Sequence, residues 1–147
     1  MTRISEAVLE YVGEAPRKTS DRRRSPSTAT SVLRAPRVSG QAIGRLATKL
    51  GVSELVLLST CNISERAYQH RKRSKLRLTE LESDRVLRVA RIALEAERVF
   101  SDVEKAHRWL LAKNLILGAR PLDLLATDAG AREVEIELTR IDFGDFA

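Results

Sequence analysis

The densest set of chemically capable side chains in this 147-residue chain is the run Ser64-Glu65-Arg66-Ala67-Tyr68-Gln69-His70-Arg71-Lys72-Arg73. Arg and Gln carry donor–acceptor pairs that match guanine and adenine edges, and Lys and Arg hold phosphate oxygens. Ser64, Arg66, Gln69, Arg71, Lys72 and Arg73 are therefore the candidate DNA contacts, with Ala67 and Tyr68 left for packing. The same residues also fit a positively charged surface helix with no role in nucleic-acid binding. Catalytic chemistry finds no support. The chain has no Gly-rich phosphate loop, no H-E-x-x-H, no G-x-S-x-G and no cluster of Cys and His. His70 and His107 fall in different predicted helices, and His107 reads as a partly buried core residue. The lone Cys61 gives neither a disulfide framework nor a metal site and reads as a small packing residue. No catalytic residue, metal or cofactor is expected, and the chain does not read as an enzyme.

A base-reading helix needs a partner helix and a tight turn to present it. Leu55 to Ser59, a turn at Asn62, and Ser64 to Arg73 have that layout, and Asn tolerates the left-handed backbone such a turn demands. Ser53 and Ser64 are the N-caps. Upstream, Ile43, Leu46, Ala47 and Leu50 follow the i, i+3, i+4, i+7 spacing of one helix face, stopped by Gly51. Downstream, Thr79 and Glu82 form a capping box that opens a helix from about Glu80 to Phe100, with Val86, Val89, Ala90, Ala93 and Leu94 inward. Ser101 to Glu104 repeats the S-x-x-E spacing before a helix through Val103, Ala106, His107 and Leu110. Lys113 to Pro121 reads as a loop with an apolar patch, and Pro121 opens a helical turn through Leu125. Thr127 caps a last helix carrying Val134, Leu138 and Ile141, with Gly144 just past its end. At the other end, Ile4, Val8 and Tyr11 share one side of a short helix. An Arg-, Ser- and Pro-rich stretch follows it, too poor in apolar residues to fold alone and read as a flexible arm. Neither an internal repeat nor a strand pattern emerges. The expectation is an all-α protein: a short helix and arm over 1–38, a helix-turn-helix module over 39–78, and a small helical domain over 79–147.

Composition agrees. The chain is 43% hydrophobic but only 4% aromatic, so its core must be built from Leu, Ile, Val and Ala on packed helices. No apolar run approaches the roughly 20 residues of a membrane span. The start lacks the basic-then-apolar order of a signal peptide, which points to the cytoplasm and to no membrane partner. The net charge of +6 is uneven: residues 1–75 hold 15 Lys+Arg against 6 Asp+Glu, and residues 76–147 hold 11 against 14. A basic first half suits a polyanion such as operator DNA, with Arg22, Arg23 and Arg24 available to the phosphate backbone. Two-fold operators make a homodimer the expected state.

From about residue 79 the chain resembles the Xre/MbcA/ParS-type antitoxins. Trp109, Leu110, Asn114, Leu117, Gly118, Pro121 to Leu125, Thr127, Gly130, Arg140, Ile141 and Gly144 carry the resemblance. Residues 40–73 resemble the family's N-terminal half more loosely. Lys113 stands where the family has Pro, Ala119 replaces a second Gly, and Asn62 occupies a turn position that is usually Gly. The resemblance does not extend to the Arg-rich arm. It implies an antitoxin whose C-terminal domain binds a RES-type toxin, one that degrades NAD or transfers ADP-ribose from it, and covers its NAD pocket. On that implication Arg140, Ile141, Asp142, Phe143, Gly144, Asp145, Phe146 and Ala147 form the inhibitory tail. Residues 120–147 hold 7 acidic and 3 basic side chains. Asp142, Asp145 and the terminal carboxylate would then meet phosphate subsites, while Phe143 and Phe146 fill apolar or base-stacking space. Trp109, Asn114, Leu117 and Gly118 become toxin-interface candidates, with Trp109 equally readable as core and Gly118 as a tight turn. The other readings are a stand-alone helix-turn-helix regulator without a toxin and a helical adaptor.

Overall fold

The computed structural model describes residues 6–15 and 36–144. Ile4, the Arg22–Arg24 run with most of the arm, and Asp145, Phe146 and Ala147 lie outside the described residues. Within them the chain is all helix: α1 Glu6–Tyr11, α2 Gln41–Leu50, α3 Glu54–Thr60, α4 Glu65–Arg73, α5 Glu80–Phe100, α6 Val103–Leu111, α7 Pro121–Leu124 and α8 Asp128–Asp142. The only extended pairings among the described residues are two isolated bridges, Ser39 with Arg77 and Asn114 with Ala119.

The turns of the N-terminal half show a regularity that the sequence reading missed. Gly51 N donates to Thr48 O and Val52 N to Ala47 O, after which the Ser53 side chain caps α3 through Val56 N. Eleven residues later Asn62 N donates to Ser59 O and Ile63 N to Leu58 O, and Ser64 caps α4 through Ala67 N. Gly51 and Asn62 both have positive φ, 69° and 51°. The two helix-to-helix corners are thus one device used twice. The matching sequences, Gly-Val-Ser-Glu and Asn-Ile-Ser-Glu, are an internal repeat too short to stand out by composition.

Helix α5 is the axis of the molecule. Its N-terminus carries the expected capping box, with Thr79 Oγ1 accepting from Glu82 N and Glu82 Oε1 accepting from Thr79 N. Val86, Val89, Ala90 and Ala93 are buried, whereas Leu94 is half-buried. The second expected capping box is absent. Ser101 is the left-handed C-terminal residue of α5 at φ 51°, and Asp102 caps α6 by accepting from Lys105 N at 3.0 Å. The residue three places after this cap is Lys105, which has no acceptor to complete a box.

Helix α8 lies parallel to α5, because their ion pairs ascend together: Arg88 with Asp128, Arg91 with Glu135, and Arg98 with Asp142. Asp128, Glu135 and Asp142 are seven residues apart, two turns each, and so share one side of α8. Beneath them Val134 and Leu138 enter the core. The start of α8 sits directly on the end of α7: a Cβ at Gly130 would fall 2.0 Å from Leu124 O, so only glycine fits there. Helix α1 closes the other side of α5, burying Val8, Tyr11 and Val12. One apolar cluster runs from Val8 through Ile43, Leu57 and Val86 to Leu138, so both halves of the chain share a core.

Candidate functional site

Two side chains, Tyr68 and Arg71, tie helix α4 to its neighbours. Tyr68 is buried on its inner side, with its hydroxyl donating to Glu54 Oε2 on α3 at 3.0 Å. Burial and this carboxylate neighbour push the phenol up to about 12, so it stays a neutral donor. The anchor leaves Ser64, Arg66, Lys72 and Arg73 exposed and Gln69 half-buried on the same short helix. Arg71 is placed differently. Its Nε lies 3.0 Å from Glu82 Oε1 on α5, and both side chains are largely covered. Arg71 therefore ties α4 to α5. Lys72 Nζ lies 5.5 Å from the centre of the Tyr68 ring, a distance at which its charge still interacts with the ring face. Beside α4 an open groove of about 620 Å³ runs between α1, α2 and α4, bordered by Arg45, Lys49 and Lys72 as well as Glu10 and Glu54.

The two halves meet at a small polar cluster on α5 and α6. Glu97 Oε1 accepts from the Tyr11 hydroxyl at 2.6 Å and lies 2.8 Å from His107 Nε2. Burial, then the Glu97 contact, raises the Tyr11 phenol well above its ordinary range. His107 is thus a half-buried structural residue whose partner also fixes α1. Cys61 is likewise a packing residue, buried in the turn before α4, with its thiol pushed up to about 12 by burial. No group of three or more His, Cys, Asp or Glu side chains that could hold a metal occurs among the described residues.

The C-terminal candidates separate into buried and presented residues. Trp109 is half-buried against the core, its ring 5.7 Å from that of Phe100. Leu117 also packs against the core. Asn114 shapes the loop that follows α6: its Oδ1 accepts from Ile116 N at 2.8 Å and Leu117 N at 3.0 Å, and its own N–H donates to Ala119 O. Gly118 supplies the positive φ of 73° and donates to Asn114 O. The side chains this loop holds outward are Leu115, 92% exposed, and Ile116, 63% exposed. Sequence reasoning passed over both, although the apolar patch in the loop was visible. At the end of α8, Asp142 accepts from Arg98 at 2.9 Å, and Arg140 pairs with Glu137 at 3.2 Å. Ile141 is half-buried, Gly144 is exposed with positive φ, and Phe143 is 82% exposed. The acidity of this segment is thus largely internal, since Asp123, Asp128, Glu135, Glu137 and Asp142 each pair with an arginine of the same chain.

No helix among the described residues is long and apolar enough to cross a membrane. Comparison with known families gives two adjoining matches. Residues 32–91 match the Antitoxin Xre-like helix-turn-helix domain, and residues 95–144 match the Antitoxin Xre/MbcA/ParS C-terminal toxin-binding domain. The junction falls inside α5, which serves both halves. A curated relative, Antitoxin Xre of Pseudomonas putida strain KT2440, is 43% identical over 68 residues. That match covers 46% of this chain and 43% of the relative, so the chain aligns with less than half of the relative's length. With both matched domains in order on one all-helical frame, the chain belongs to the Xre/MbcA/ParS antitoxin family.

Proposed function

We infer that the chain is the antitoxin of a toxin–antitoxin pair. Its C-terminal half binds a RES-type toxin that degrades NAD or transfers ADP-ribose, and its N-terminal half binds operator DNA as a homodimer and represses the operon. The segment Arg140 to Ala147 covers the toxin's NAD pocket. The observation that carries this reading is Phe143, a large aromatic left 82% exposed at the end of a helix that ion pairs fix to α5. An aromatic that no described residue covers, at the end of a helix paired to α5, suits insertion into a partner. The Arg98–Asp142 pair fixes that helix end, so aromatic filling rather than free carboxylates does the covering, with Asp145 and Phe146 continuing the segment.

On the DNA side, Ser64, Arg66, Gln69, Lys72 and Arg73 present the reading surface and Arg71 holds the helix that carries them. Deleting Phe143 to Ala147 is expected to abolish inhibition of NAD consumption while leaving helical content and melting temperature unchanged. Undiminished inhibition by the truncated chain would remove the pocket-covering role. If the chain retards its own promoter fragment but engages no toxin, the stand-alone regulator is the better account.

A further inference from the structure

Toxin recognition requires an anchor as well as an inhibitory end, and the loop between α6 and α7 has the properties of one. The loop is rigid by construction. Asn114 takes two backbone N–H groups on its side chain, bridges to Ala119 and receives Gly118 N, so four hydrogen bonds close a six-residue turn. Leu117 turns inward onto the core and pins the base. The result is two adjacent aliphatic side chains, Leu115 and Ile116, held out in solvent at a fixed place. Nothing in the fold gains from this exposure, since exposed Leu and Ile contribute little to folding stability. A preorganised apolar tip loses little conformational entropy when it enters a pocket, which is the economy expected of a binding anchor.

The surroundings add charge. From Lys105 to Arg120 the chain carries Lys105, Arg108, Lys113 and Arg120 and no carboxylate. Among the described residues only Arg120 of these is ion-paired, to Asp123, and Lys105, Arg108 and Lys113 are exposed. The tip and its rim also fall inside the residues 95–144 that match the toxin-binding domain.

We propose that Leu115 and Ile116 are the affinity anchor of the antitoxin, seated in an apolar depression of the toxin edged with carboxylates that face Lys113 and Arg108. This rests on the toxin-binding reading above and divides the labour: the loop supplies affinity and the end of α8 supplies inhibition. Asn114 and Gly118 are positioning residues for the tip, while Trp109 and Leu117 hold the loop to the core.

The test measures toxin binding by calorimetry, using the full chain and the product of the reading frame next to its gene. Leu115→Ser with Ile116→Ser is expected to weaken binding about 100-fold or more at unchanged melting temperature. Lys113→Glu is expected to weaken it about 3- to 10-fold, mainly through the association rate and more strongly at low salt. Asn114→Ala should reproduce part of the loss, and Asn114→Asp, which keeps the acceptor, should restore it. Truncation after Asp142 should leave affinity within a few-fold while removing inhibition, a split that a single contact site would not give. Wild-type affinity in the double variant overturns the anchor and leaves the toxin reading standing. Failure of the unmodified chain to bind the toxin overturns both. If the double variant loses self-association while toxin affinity is unchanged, the patch is a contact between copies and the proposal is wrong. A lowered melting temperature in the double variant shifts the decision to Lys113→Glu, whose unchanged affinity at low salt overturns it equally.

Discussion

Two residues show how local environment sets chemistry in this protein. Cys61 sits in the turn before α4 with its thiol pushed up to about 12 by burial. At pH 8 the reactive thiolate is therefore scarce, and native chain is expected to label with a thiol reagent only as fast as it unfolds. Fast stoichiometric labelling of folded protein would show the turn to be open. Asp102 behaves in the opposite sense. The Lys105 backbone N–H that it caps holds its carboxyl below the ordinary aspartate range. A carboxyl with a depressed folded value adds stability that is complete above the unfolded value of about 3.9 and is lost as pH falls through the folded one. Asp102→Asn keeps an acceptor for the cap but should flatten that part of the acid-unfolding curve, measured by circular dichroism between pH 2 and 5. Asp102 also shows the limit of a spacing rule. Ser101-x-x-Glu104 reads as a capping box, yet Ser101 is consumed as the left-handed end of α5, and the cap moves one residue on.

At the scale of elements, α5, α7 and α8 were legible because their caps and apolar spacing are local properties. Thr79, Pro121 and Thr127 each open the helix expected of them. The pairing of α8 with α5 was not legible. It depends on Asp128, Glu135 and Asp142 meeting Arg88, Arg91 and Arg98, up to 44 residues away, and one-dimensional spacing cannot distinguish these acids from a solvated face. For the same reason the sequence invites a free acidic segment where the fold has spent most of its carboxylates on its own arginines. Gly130 marks the tightest contact in this half. Gly130→Ala would place a methyl against Leu124 O and force α7 and α8 apart, at a cost of about 2–3 kcal/mol by denaturant unfolding. Unaltered stability would mean that the α7–α8 corner yields easily.

Across the whole molecule, the shared core and the helix common to both matched domains join the two halves into one frame. Helix α1 reinforces it: Tyr11 reaches Glu97 on α5, Arg45 of α2 donates to Val12 O and Gly13 O, and Glu14 accepts from Ser39 N. The division of α4 then predicts a contrast in DNA binding. Arg73→Ala should weaken binding to promoter DNA and lower the salt slope by about 1, as loss of one phosphate contact does. Arg71→Ala should instead destabilise the fold by about 1–2 kcal/mol through the Glu82 pair. Equal DNA effects and equal stabilities for the two variants would show that Arg71 also faces the duplex. The sequence placed α4 and its polar face correctly but could not show that Arg71 turns toward α5, since Glu82 approaches it only after the chain folds back. The most direct measurement for the central claim is co-purification of the chain with the product of the neighbouring reading frame, with NAD followed as the chain is titrated in. A stoichiometric complex that stops NAD loss, and that no longer stops it once Phe143 to Ala147 are removed, is the predicted result. NAD consumption unaffected by the intact chain, with no complex recovered, would contradict the antitoxin account.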